Sequence, residues 1–279
     1  LVPSNEKAPE KMVDKILNGK VTNDTKFCMA PNGAFFRKDK RGFLPELMET
    51  IYNDRVKYKK LMLEAKQNYE NTKDKKYLKY ISRYENIQLA KKISLNSAYG
   101  AIGNNWFRYF DLRNAEAITT SGQLSIRWIE KSLNSYLNKL LETNDEDYVV
   151  ASDTDSVYIT FERLVDQVFD KSPETTKVVR FLAKVATDKL EPFIDKCYSS
   201  LAELMGAYDQ KMVMKREVIA DKGIWTAKKR YISNCWDIEG VRYKEPKLKM
   251  MGIEAVKSST PEPVPYTHLR AHETTSHLV

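Results

Sequence analysis

Apolar residues recur every three to four positions over several long stretches of this chain and cluster in a few short, β-branched or aromatic runs. That pattern predicts long helices and a small number of strands. Leu47, Ile51, Val56, Leu61 and Met62 predict a helix over about 44–71, which Asn71-Thr72-Lys73-Asp74-Lys75 breaks. A second helix is predicted from Lys76 to Tyr99, closed by Gly100 in a left-handed cap. Two helices joined by a short polar loop make an antiparallel pair. A third, over about 115–142, carries Ile118, Leu124, Ile126, Trp128, Ile129, Leu133, Leu137 and Leu140 on one face. Shorter helical patterns cover 8–18 and 174–205.

Phe27–Phe36, around Pro31-Asn32-Gly33, predicts a small hairpin. Val149–Ile159 predicts a second, with Asp-Thr-Asp-Ser as its tight turn or the edge of it. Three further strands are predicted at Lys211–Ala220, Trp225–Trp236 and Asp237–Tyr243. Helices and strands segregate instead of alternating, so the fold class is α+β: a helical hairpin plus an antiparallel sheet packed with helices. No internal repeat is present.

Composition sets bounds. With 279 residues, 42% of them apolar, the chain can build one large core or two ordinary ones. Its 46 Lys+Arg against 38 Asp+Glu leave a net charge of +8, compatible with nucleic acid but not diagnostic of it. Cys28, Cys197 and Cys235 lie far apart with no CxxC spacing and are expected to be reduced. No apolar run approaches a membrane span and no signal peptide is evident. The chain opens on Leu, which suggests a piece of a longer protein. After a three-proline linker ending at Pro265 come all three histidines, His268, His272 and His277. His268 and His272 have the spacing of a helical zinc pair, but no glutamate follows His268 and no other ligands are evident. Residues 265–279 resemble translated adapter sequence and are expected to be non-native.

Three clusters carry candidate chemistry. Asp153 and Asp155 stand one residue apart in an apolar stretch; two converging carboxylates repel unless a cation lies between them, and Mg²⁺ favours such a set. A solvated turn with two ordinary acids is the alternative. Lys92, Asn96 and Tyr99 fall along one helix face, and Arg55, Lys59 and Lys60 on the preceding helix could aim cations into the same groove, as a triphosphate requires. A solvated charged face explains these equally. Lys228-Lys229-Arg230-Tyr231 lies in a segment, Lys211–Lys257, with twelve Lys/Arg against six Asp/Glu and interleaved aromatics, which suits a nucleic-acid backbone. Glu217 is either a third carboxylate or a neutraliser of its neighbours Lys215 and Arg216.

The order Lys-x3-Asn-Ser-x-Tyr-Gly (92–100), Asp-Thr-Asp-Ser (153–156), Lys-Lys-Arg-Tyr (228–231) resembles the family B DNA polymerases, and within them the replicative enzymes of T-even-like bacteriophages. Tyr99–Thr120, Trp225–Tyr231 and Lys247–Glu254 are similar to that branch, and the resemblance covers roughly 27–261. It implies a template-directed polymerase that adds dNTPs to a primer 3′ end with two Mg²⁺ ions. Asp153 would hold metal and Asp155 would support the site. Lys92, Arg55, Lys59 and Asn96 would hold the triphosphate, and Tyr99 and Gly100 would face the nascent base pair. Lys228, Lys229, Arg230 and Tyr231 would grip the primer, with Glu217 near the carboxylates. Ala151 stands where the family is usually aromatic, and Lys215 where close relatives often carry an acid, which weakens the assignment of Glu217.

The implied organisation is a residual palm or connector segment (1–41), fingers (42–105), palm (106–245) and the start of a thumb (246–264). The family's Asp-x-x-Ser-Leu-Tyr-Pro motif, which brings a further metal-binding aspartate, is not found upstream, nor is an exonuclease domain, so the chain is expected to be an incomplete fragment. Implied partners are primer-template DNA, dNTP and, for the full-length parent, a sliding clamp and replisome proteins, in the cytoplasm of an infected bacterium. Two other readings remain open. One is an inactive basic nucleic-acid and nucleotide-binding fragment. The other is a metal-dependent nuclease, in which the cation stripe would have no work.

Overall fold

The computed structural model describes residues 8–169 and 173–254. In chain order the elements are α1 (Ala8–Leu17), β1 (Cys28–Met29), β2 (Phe35–Phe36), α2 (Phe43–Thr72), α3 (Lys76–Ile102), α4 (Leu112–Leu140), β3 (Val149–Asp153), β4 (Ser156–Ile159), α5 (Glu162–Val168), α6 (Thr175–Val185), a π-turn (Ala186–Leu190), α7 (Glu191–Leu204), β5 (Val218–Ala227), β6 (Arg230–Ile238) and β7 (Val241–Met251). All strand pairs are antiparallel: β1–β2, β3–β4 and β5–β6–β7. This is the expected α+β class. The linker and histidine-bearing tail lie outside the described residues, as does most of the expected thumb start; its boundary after residue 245 falls inside β7.

Two compact units emerge. One comprises the described residues up to Pro173 together with Lys184–Lys215, and the other Glu174–Ala183 together with the described residues from Arg216 on. The expected palm, 106–245, is therefore divided between them.

In the first unit, α2 and α3 pair antiparallel. Lys91 Nζ donates to Asp54 Oδ2 at 2.6 Å, and Lys66 Nζ stands 3.8 Å from Glu85 Oε1, which sets the register. Only Met62 and Ala65 of α2, and no residue of α3, are fully buried. A lone helix pair shields a narrow stripe, so Leu47 and Val56, part of the spacing that predicts this helix, are 48% and 47% exposed. Nor does α3 stop before Gly100. Gly103 N–H donates to Tyr99 O at 3.4 Å, the ladder runs to Ile102, and Gly103 caps at φ −83°, so Gly100 is an ordinary helical residue and not a left-handed cap.

Asp111 caps α4 by accepting from the Arg113 N–H at 2.9 Å. Leu124, Ile129, Leu133 and Leu137 of α4 are buried, while Ile118 and Leu140 are exposed near its two ends. Ile129 and Leu133 cluster with Val149 of β3 and with Leu190, Ile194 and Tyr198. Leu124 joins Val13 and Ile16 of α1, Leu201 and Met205. Each fully buried Leu or Ile contributes about 1.5–3 kcal/mol, so α4 anchors this unit.

The helix expected over 174–205 is interrupted by the π-turn, with Pro192 in the first turn of α7. Proline lacks the N–H that an uninterrupted ladder needs and its ring crowds the carbonyl four residues back, and one wider turn accommodates both. The short α5 was not predicted.

In the second unit the strands differ from the expected segments. Residues 211–217 are not strand; β5 and β6 are joined by the turn Lys228-Lys229, and β6 and β7 by Glu239-Gly240. Lys229 (φ +62°), Glu239 (+52°) and Gly240 (+86°) take the left-handed conformations that tight hairpins need. Along β6, Tyr231, Ser233, Cys235 and Asp237 are buried and their neighbours are not, the period-two pattern of a strand with one covered face. Val179 and Ala183 of α6 cluster with Ile219 of β5. All three cysteines are free.

Candidate active site

Asp153 ends β3 and pairs with Ser156 at the start of β4, across the two-residue turn Thr154-Asp155. The Asp155 N–H donates to the Asp153 carbonyl at 2.6 Å, and Ser156 Oγ donates to the same oxygen at 3.2 Å. Thr154 Oγ1 donates to Asp153 Oδ1 at 3.0 Å. The turn requires φ +53° at Thr154, a conformation β-branched residues seldom adopt, which stores about 1–3 kcal/mol of strain. The turn expected within Asp-Thr-Asp-Ser is formed at Thr154-Asp155, and its sharpness sets the relative positions of the two aspartates.

Beneath the turn, Val157 and Ile159 pack on the cluster of Ile129, Leu133, Leu190, Ile194 and Tyr198. The Tyr198 hydroxyl is pushed up to about 12, by burial first and by the Asp155 charge second, so the field of Asp155 reaches the core below. Asp153 is half-buried and Asp155 exposed. Neither has a cationic partner among the described residues, and no group of three or more His, Cys, Asp or Glu forms a metal cluster there. The two carboxylates fit a hard cation that takes its remaining ligands from water and from substrate phosphates.

In the helix pair, Arg55 and Lys59 lie half-buried on α2. Arg55 Nε is buried with no hydrogen-bond partner among the described residues. Lys92, Asn96, Tyr99 and Gly100 are exposed on α3. The α3 lysine that reaches α2 is Lys91, through Asp54, and this ion pair brings Arg55 and Lys92 to the same level of the pair. The expected single groove is thus only partly formed: Arg55 lies within the helix interface and Lys92 on the outer surface beside it. An added Cβ at Gly100 would meet nothing within 4 Å.

In the second unit, Lys228 and Lys229 form the exposed β5–β6 turn and have no acidic partner among the described residues. Arg230 Nη2 pairs with Glu254 Oε1 at 2.9 Å. Tyr231 is buried, its ring stacked on Trp225 with centroids 6.3 Å apart, so it supports the turn from below. Glu217 accepts from Lys249 Nζ at 2.7 Å, neutralised across the sheet and not by its sequence neighbours. Of those neighbours, Arg216 bonds Asp237.

Sequence reasoning missed Gly252. Its φ is +64°, and an added Cβ would sit 2.1 Å from the Lys229 carbonyl oxygen, so this glycine backbone seats the Lys228-Lys229 turn. Its place in Met-Met-Gly-Ile-Glu was visible, but nothing local announces a contact with a residue 23 positions earlier.

Among the described residues no helix is long and apolar enough to cross a membrane. A sequence model of DNA polymerase family B matches residues 4–262. The chain is 38% identical over 288 aligned residues to the DNA-directed DNA polymerase of Escherichia phage RB69, covering 85% of this chain and 32% of that protein. It is 36% identical, with the same coverage, to the DNA-directed DNA polymerase of Enterobacteria phage T4. A 34% identical stretch of 139 residues, 50% of this chain and 16% of the relative, matches DNA polymerase 1 of Pyrococcus abyssi. The chain spans about a third of the length of the phage relatives (32%).

Proposed function

The chain belongs to DNA polymerase family B, and on that premise we propose that it supplies the helical fingers and much of the palm of a viral, DNA-directed DNA polymerase. The reaction is template-directed addition of dNTPs to a primer 3′ end. The observation that carries the reading is the two-residue turn at Thr154-Asp155, which holds two carboxylates without cationic partners among the described residues over an apolar floor. Phosphoryl transfer asks the protein for positioning and charge neutralisation more than for covalent chemistry. Asp153 and Asp155 would hold Mg²⁺. When bound, the metal neutralises the phosphates and favours the alkoxide form of the primer 3′ oxygen.

The chain's own residues do the rest. Arg55, Lys59 and Lys92 hold the triphosphate by charge, with Asn96 beside them as a neutral donor and acceptor. The unsatisfied Arg55 Nε is a donor in need of an anion. Tyr99 and the open surface at Gly100 face the nascent base pair. Lys228 and Lys229 grip the primer through contacts that do not read sequence, with Arg230 and Tyr231 bracing the turn. Glu217, already neutralised by Lys249, serves the sheet. Primer-template DNA and dNTPs are the partners, with a sliding clamp and replisome proteins for the full-length enzyme, in the cytoplasm of an infected bacterium.

Primer extension by a polypeptide carrying these residues with the remaining regions of a family B polymerase should be abolished by Asp153→Ala. Undiminished extension would overturn the assignment. A second reading concerns the 279 residues in isolation. No third carboxylate joins the pair among the described residues, which favours DNA and nucleotide binding without catalysis. Measurable extension by the purified chain alone would refute it.

A further inference from the structure

The start of α3 concentrates positive charge where a helix least tolerates it. Lys75 is the N-cap, Lys76 and Lys79 follow, and the first turn holds no acid. The helix dipole places partial positive charge at this end, so each cation there is unfavourable. Lys75, Lys79 and Arg83 also stand at successive i,i+4 positions, where like charges repel. Asp74 neutralises Lys76 at 3.0 Å and Glu70 pairs with Lys73. Lys79 and Arg83 have no acidic partner among the described residues. An ordinary solvated helix face would alternate signs at this spacing; this one accumulates a single sign.

An aromatic row adjoins these cations. Tyr80 and Tyr84 are stacked at 6.3 Å with 20° between planes, and Tyr84 lies 6.3 Å from Tyr58 of α2. Tyr84 and Tyr58 are half-buried in the helix pair, whereas the outer member, Tyr80, is 46% exposed. Lys76, Lys79, Tyr80 and Arg83 are spaced three, one and three residues apart, a single stripe roughly 10 Å long at 1.5 Å per residue. At about 100° per residue, Lys92, Asn96 and Tyr99 lie on the opposite side of α3, so the stripe is separate from the proposed triphosphate site.

We propose that this distal face of the α2–α3 pair binds single-stranded DNA, with phosphates on Lys79 and Arg83 and a base stacked on Tyr80. The polyanion relieves charge repulsion that the helix otherwise carries, and an exposed ring held by its neighbours loses little freedom on stacking. The site needs neither nucleotide nor metal, so its failure would leave the catalytic reading untouched.

Anisotropy of a fluorescent oligo(dT), measured with the purified chain without metal or dNTP, tests this. Lys79→Gln/Arg83→Gln should weaken binding at least tenfold and flatten the slope of log affinity against log salt by about 1.4, at roughly 0.7 per phosphate contact on single strands. Its melting temperature should hold or rise, because repulsion is removed. Tyr80→Ala should weaken binding roughly tenfold with the slope unchanged. Unaltered affinity and slope in the double variant would overturn the proposal. So would polyglutamate competing as well as oligo(dT) while Tyr80→Ala binds normally, since that marks a surface for an acidic protein.

Discussion

Arg216 Nη1 donates to Asp237 Oδ1 at 2.6 Å, and the Asp237 side chain is completely shielded from solvent. The same oxygen accepts from the Gly240 N–H at 2.9 Å, and Arg242 Nε stands 3.6 Å from Oδ2. One buried carboxylate thus ties the segment entering β5 to the β6–β7 turn. Arg216→Met should destabilise this unit by about 3–5 kcal/mol, because it strands a buried charge. Asp237→Asn keeps an acceptor for Gly240 and should cost less. Urea unfolding of the two variants checks the order, and equal losses would contradict it.

Gly252 should tolerate no side chain. Gly252→Ala places a methyl against the Lys229 carbonyl in a backbone conformation that alanine resists, so the Lys228-Lys229 turn must shift. The expected result is a loss of about 2 kcal/mol or more, with weaker primer-template binding. Wild-type binding by a fully folded variant would show that the seat is dispensable.

Gly100 should behave in the opposite way. It is helical and open, so Gly100→Ala should stabilise α3 by about 1 kcal/mol. If it faces the nascent base pair, the same change should lower incorporation while raising the melting temperature. A stabilised variant with unchanged incorporation would remove Gly100 from the site.

Tyr198 predicts an alkaline limit. Its folded pKa, about 12, lies above its ordinary value of 10, so the fold favours the neutral phenol. The contribution is complete below pH 10 and is lost as pH rises through 12, about 2–3 kcal/mol in all. Tyr198→Phe should flatten that decline in melts across this window. An identical alkaline slope in both proteins would exclude Tyr198 as its source.

The elements with a long, repeated pattern were legible in the sequence. The helices containing Leu124, Ile129 and Leu133, or Met62 and Ala65, keep their periodicity over many turns, and the hairpin around Thr154-Asp155 is bounded by β-branched residues. Less legible were features set by contacts distant in sequence. Leu47 and Val56 have core spacing yet lie exposed, because only one helix covers α2. Lys228-Lys229 lacks the Gly or Asn that usually marks a tight turn, and the Gly252 backbone seats it from just past the end of β7.

By itself the sequence determined the element types, the α+β class and the set of chemically capable residues, since helical periodicity, strand propensity and side-chain chemistry are local properties. The family followed from the order of its motifs. The tertiary structure decided which of those residues are available. It left both carboxylates without cationic partners among the described residues, engaged Glu217 with Lys249, buried Tyr231 under its turn and ran α3 through Gly100. Each depends on which distant backbone or charge comes to lie alongside, and packing, not local propensity, settles that.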